Sequence, residues 1–267
     1  TFDLIESYKA HFDKVFDGSN IVNTGSWAFD NLVSVMQDTA LSDIWIPSLL
    51  VYRKNFGDVK IYDFVKLLDN KFSGDWIARE TPTTRIEAMN AILKKIEEVA
   101  KLETDINTKI DTLFQSVVFK FNTKEFLNQL EHSTIYGRRF ARYILRKVDF
   151  LLDAPLYSER RNSYGQMTVE HVLPQTPKED SQWNKDFTEE EKEEWTHKLG
   201  NLVLISRRKN SGQGRLDFSD KKTKYFTNSI ETFPNSIRIM QKPQWTISEL
   251  KENHNQLINI IKAYYNI

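Results

Sequence analysis

Residues 168–177 read TVEHVLPQTP. The β-branched alternation over residues 167–173 predicts a strand, and Pro174 stops it and fixes the turn that follows. Near its end the strand carries a carboxylate and an imidazole side by side, Glu170 and His171. Burying such a pair costs free energy unless it is solvated, hydrogen-bonded or holding a metal. The dyad therefore predicts a polar site. Outward from it, residues 200–206 (GNLVLIS) read as a second strand. Between the strands lies an acidic stretch with a short helix near TEEEKEEWTHKL; beyond them come RRKNSGQGRL and a helix over DFSDKKTKYF. This order builds a small ββα unit. Its first strand aims Glu170 and His171, and the start of its helix aims Asn210.

Those residue types suit one chemistry. Glu170 and Asn210 offer hard oxygen ligands, which fit one Mg²⁺ (or Mn²⁺) and leave positions open for water and phosphate. His171, with an unperturbed pKa of about 6.5, can take a proton from an attacking water. The ion would offset charge building on phosphate and leaving oxygen. His197, just before the second strand, reads as a hydrogen-bonding support of the site or as a ligand.

The remainder of the 267 residues reads as mostly helical before about residue 155. TTRIEAMNAILKKIEEVAKL is the clearest helix, with Thr84 and Glu87 at capping-box spacing and Ile86, Met89, Leu93, Ile96 and Val99 at helical intervals. Shorter helices are expected over KIYDFVKLLDNKF and NTKEFLNQLEH, with Gly18, Gly25, Gly57, Gly74 and Pro82 punctuating the connections. Trp27, Trp45 and Trp76 are expected to fill a helical core. In YGRRFARYILRKVDFLL, Phe140, Ile144, Val148 and Leu151 line one face. Arg139, Arg142 and Arg146 line another and offer guanidinium groups to phosphates. TISELKENHNQLINIIKAYY closes the chain as an amphipathic helix, with His254 on its packed stripe. The division expected is a helical domain, 1–155, and a ββα domain with the C-terminal helix, 156–267.

Composition narrows the class. The chain lacks cysteine, which excludes disulfides and thiolate-ligated zinc. No apolar run is long enough for a membrane helix, so no membrane partner is expected, and a cytoplasmic location is. The net charge is zero, yet residues 178–195 hold three lysines against eight carboxylates, and residues 197–225 hold eight Lys/Arg against two aspartates. Arg207, Arg208, Lys209, Lys221 and Lys222 thus join the arginine helix as candidate DNA contacts. The opening TFDLIESYKA, with no initiator Met and no signal-peptide character, suggests a segment of a longer polypeptide.

With these motifs in place, EHVLPQ, HKLGNLVLISRRKN and FSDKKTKYF resemble the HNH (ββα-metal, or His-Me finger) nuclease fold. The variant is the one found at the C-terminus of GmrSD-type modification-dependent restriction endonucleases. NLVLISRRKN also looks like the equivalent segment of the HNH domain in RNA-guided CRISPR nucleases, with the same Asn-to-Asn spacing. The likeness covers residues 167–226, and the Tyr-Gly-Arg-Arg helix looks like the family's lead-in segment. It implies His171 as general base, Glu170 and Asn210 as metal ligands, and Asn201 as the strand Asn that braces the loop. Glu170 departs from the wider pattern, where Asp is commonest, and its extra methylene displaces the carboxylate.

The resemblance implies a metal-dependent DNA endonuclease yielding a 5′-phosphate and a 3′-hydroxyl, directed at phage DNA with modified bases or backbone. Its partner would be a nucleotide-hydrolysing N-terminal half, in the same polypeptide or a separate subunit; no GxxxxGK[ST] phosphate loop occurs here. The alternative is a non-catalytic DNA- or partner-binding module that retains the ββα shape.

Overall fold

The computed structural model describes residues 2–16, 27–39, 41–152, 167–206, 214–226 and 233–267. They form two compact units that divide between Phe126 and Leu127. The protein is mainly helical, as expected, with one two-stranded sheet among the described residues. No described helix is long and apolar enough to cross a membrane.

The first unit holds α1 (Phe2–Phe16), α2 (Ala28–Asp38), α3 (Ile46–Phe56), α4 (Ile61–Ile77), α5 (Pro82–Ala100) and α6 (Ile106–Phe114). Its core is aromatic. Trp45 is fully buried, and Tyr52 stacks on Phe64 with centroids 4.0 Å apart. Trp27 and Trp76 are only half-buried. The cap of α5 falls at Thr81, whose side chain accepts from the Thr84 amide, and not at Thr84. Pro82 decides this, because its fixed φ and missing N–H suit the first helical position. The buried face of α5 is Ile92, Ile96 and Val99, and Ile86, expected on it, is exposed. Gly74 lies within α4 and does not punctuate it: a Cβ there would stand 2.6 Å from the Phe121 ring.

The second unit takes most of α7 (Thr123–His132), then α8 (Ala141–Leu152), β1 (Met167–His171), α9 (Trp183–Asp186), α10 (Glu189–Trp195) and β2 (Leu202–Ser206). It ends with α11 (Phe218–Phe226), α12 (Pro234–Met240) and α13 (Ile247–Tyr265). β1 and β2 pair antiparallel, Glu170 opposite Val203 and His171 opposite Leu202. A bond from the Val172 amide to the Asn201 carbonyl, 3.0 Å, carries the pairing one step past β1. Val172, Leu173, Val203 and Ile205 join Trp183, Phe218, Tyr225 and Trp245 in one core. α8 packs on both strands and α13 on the turn at 199–201. There Gly200 is required, since a Cβ would lie 2.5 Å from that of His254. His254 is buried as expected, and its Nδ1 accepts from the Gly200 amide.

Candidate functional site

Successive residues of a strand face opposite sides, and Glu170 and His171 accordingly take different partners. The ammonium of Lys221, fully buried on α11, donates to Glu170 Oε1 at 2.8 Å and to the His171 carbonyl at 2.7 Å. Lys221 occupies the inner stripe of α11 together with Phe218 and Tyr225. Burial holds its pKa below the ordinary lysine value, and the Glu170 carboxylate opposes that shift. Lys221 is therefore no phosphate contact: it is the counter-ion of Glu170 and ties α11 to the end of β1.

His171, 5% exposed, faces the turn before α8 and the segment before β2. Its Nε2 lies 3.1 Å from His197 Nδ1, and the amide Nε2 of Gln175 lies 3.4 Å from its Nδ1. The Tyr136 ring sits 4.3 Å from the His171 ring and stacks on His197 at 5.5 Å. Burial, then the neighbouring His197 and Lys221, push the His171 pKa down from 6.5 to about 3. At neutral pH the ring is thus uncharged, the form that accepts a proton.

Backbone bonds place His197. Its carbonyl accepts from the amides of Ile135 (2.9 Å) and Tyr136 (3.2 Å). Asn201 is fully buried. Its Oδ1 accepts from the Leu173 amide, and its Nδ2 donates to the carbonyls of Leu173 and Thr196. One side chain thereby clamps the chain just after His171 to the chain just before His197. Pro174 is buried beside this clamp. Gln175 and His197 line a groove of about 530 Å³ whose wall includes Glu189, Lys192 and Glu193.

The other expected contacts divide. Arg139 and Arg142 are exposed, and so is Arg138 on the same turn that carries Tyr136. Arg146 is not: at 2% exposure it is covered, because α8 is buried along its whole length from Tyr143 to Phe150 and has no solvent face there. Lys222 is half-buried and donates to the Lys242 carbonyl at 2.7 Å. Arg207, Arg208, Lys209 and Asn210 lie outside the described residues. Tyr136 and Gln175 carry no charge and no motif marks them in the sequence; only the fold brings them against the two histidines.

No group of three or more His, Asp or Glu that could hold a metal occurs among the described residues. Glu170, the one carboxylate of the dyad, is already neutralised by an ammonium, so the described side chains do not by themselves fit a divalent ion.

The site thus combines a small antiparallel sheet, a helix locked to its end by Lys221, and a buried histidine held among His197, Gln175 and Tyr136. Compared with known families, residues 121–260, more than half the chain, match the GmrSD restriction endonucleases, C-terminal domain. The chain belongs to that family, whose class is restriction-endonuclease-like nuclease. No curated protein and no solved structure matches.

Proposed function

We propose that the chain is an HNH-type DNA endonuclease whose ββα unit is formed by β1, β2 and α11, within a domain spanning 156–267. The observation that carries this reading is His171, buried, uncharged at neutral pH and held at the end of β1 between His197, Gln175 and Tyr136. Family membership supports the nuclease class and DNA as substrate. In the reaction the His171 imidazole takes a proton from water. The water oxygen bonds to phosphorus as the bond to the 3′-oxygen breaks, and that oxygen leaves with a proton from solvent. Products are a 5′-phosphate and a 3′-hydroxyl. Exposed Arg138, Arg139 and Arg142, close in sequence to Tyr136, suit the DNA backbone.

The proposal includes one divalent ion, Mg²⁺ or Mn²⁺, which supplies charge stabilisation at the phosphate when bound. Asn210 is its proposed protein ligand. Glu170 is left out of the ligand set because Lys221 holds its carboxylate. Phage DNA as target, a nucleotide-hydrolysing half as partner and the cytoplasm as location belong to the same reading.

A plasmid-nicking assay with Mg²⁺ or Mn²⁺ and with chelator tests it. The expected result is ion-dependent nicking that falls by about 10²–10⁴ in His171→Ala, with DNA affinity little changed and the fold verified by circular dichroism, since the ring is buried. Undiminished nicking by that variant would remove His171 from the active site. One observation favours a second reading, a binding module without catalysis: the dyad carboxylate is committed to a lysine. That reading predicts salt-sensitive DNA binding with no nicking at any ion concentration.

A further inference from the structure

We infer that His254, on α13, is a positioning residue of the proposed endonuclease site, acting through the turn at 199–201 on the segments that carry His171 and His197. The functional part of this inference rests on the endonuclease reading; the structural coupling does not.

Backbone partners fix the role of each atom, because a backbone amide only donates and a carbonyl only accepts. His254 Nδ1 therefore accepts from the Gly200 amide at 3.2 Å, and its Nε2 donates to the Glu131 carbonyl at 3.2 Å. The residue before it completes the grip. Asn253 Nδ2 donates to the Gly200 carbonyl at 2.7 Å, while Arg238 Nη2 donates to Asn253 Oδ1 and so sets the orientation of that amide. Two consecutive side chains of α13 thus hold both polar backbone groups of Gly200. Gly200, Asn253 and His254 are all buried, where water does not stand in for a lost bond.

From Gly200 the contacts run to both histidines. Asn201, the next residue, accepts from the Val172 amide with its carbonyl at 3.0 Å and from the Leu173 amide with its side chain at 2.8 Å. Val172 directly follows His171. The same side chain donates to the Thr196 carbonyl at 2.9 Å, and Thr196 directly precedes His197. Through its other ring nitrogen His254 ties down the end of α7 at Glu131. From there the chain passes to Ile135 and Tyr136, whose amides bond the His197 carbonyl. Every link is a hydrogen bond or a stretch of chain, and α13 stands so close to the turn that a Cβ on Gly200 has no room. Catalysis by an oriented side chain is sensitive to such a link: a displacement of about 1 Å can cost about 10²-fold in rate.

The experiment compares two variants of the full chain that each keep one bond. The Oδ1 of His254→Asn falls near the position of Nδ1 and still accepts from the Gly200 amide. The amide nitrogen of His254→Gln falls near Nε2 and still donates to Glu131. Both lose the packing of the ring against Trp195 alike. Leu199–Gly200 is the only Leu-Gly pair in the chain, and His171–Val172 the only His-Val pair. Two samples, one with ¹³C-carbonyl Leu and ¹⁵N-Gly and one with ¹³C-carbonyl His and ¹⁵N-Val, therefore single out the Gly200 and Val172 amides; plasmid nicking reads turnover. The inference expects both amide signals to stay near their parent positions in His254→Asn. In His254→Gln they should move together and exchange with deuterium faster. Turnover should fall about 10²-fold in His254→Gln, with KM for DNA unchanged, and be largely kept in His254→Asn. A Val172 signal unmoved in His254→Gln, or equal loss of turnover in the two variants, overturns it. Failure of either variant to fold also overturns it, because the contact would then serve stability alone. A parent that shows the coupled spectral response but does not nick overturns the endonuclease reading and leaves the structural coupling standing.

Discussion

At the scale of single residues, the decisive fact is that Glu170 and His171, adjacent in sequence, serve different partners. The Glu-His dyad was legible at once; that Glu170 would be claimed by Lys221 was not. A signal did exist. Lys221 falls on the stripe of α11 occupied by Phe218 and Tyr225, three and four residues to either side, and a lysine on an apolar stripe needs a counter-ion. Taken only with its neighbour Lys222, it reads as part of a basic face. The burial predicts asymmetric mutational costs. Lys221→Met leaves Glu170 uncompensated and should lower the stability of the second unit by about 3–5 kcal/mol, while Glu170→Gln with Lys221→Met should cost clearly less. Urea unfolding of the two variants measures this. Equal losses in both would mean that the pair is not coupled in solution.

At the scale of elements, strand and helix positions were largely readable and helix faces were not. The two strands, α10 and α13 stand close to where the sequence patterns put them, and the structure shows that both helices open on capping boxes, Thr188–Glu191 and Thr246–Glu249. α12, between its neighbours in the core, was not anticipated, because seven residues give too little periodicity. The face of α8 was the larger miss. Three arginines at helical spacing predicted a cationic stripe, but a helix covered on all sides buries whatever its sequence places there, and that is a property of its neighbours. What survives is the turn before and the first residues of α8. Reversing Arg139 and Arg142 to Glu should weaken DNA binding several-fold at low salt and flatten its salt dependence, with the thermal midpoint little changed. Arg146→Glu should instead impair folding, because it places an opposite charge in a covered position. Filter binding across salt concentrations and thermal melts separate the two. DNA affinity unchanged in the Arg139/Arg142 variant would confine those residues to a solvated role.

At the scale of the whole chain, the buried histidines link the second unit's stability to pH. The His171 pKa is held near about 3 by burial and by its neighbours His197 and Lys221, against 6.5 when unfolded. His254 is also lowered, chiefly by burial. Between those values the unfolded chain binds more protons than the folded one, so stability is fully present above about 6.5 and falls as the pH drops toward about 3. The upper part of that window lies above the ordinary carboxylate range, so histidines dominate it. Chemical unfolding between about pH 7.5 and about pH 5 should therefore show a declining midpoint in the parent and a shallower decline in His171→Asn, which cannot take up the proton. His11 in the first unit, also lowered by burial, is common to both proteins and drops out of the difference. Parallel slopes in the two proteins would mean that His171 is protonated as easily folded as unfolded. The ring would then titrate near its ordinary value of about 6.5 and be partly charged near neutral pH, weakening the catalytic reading.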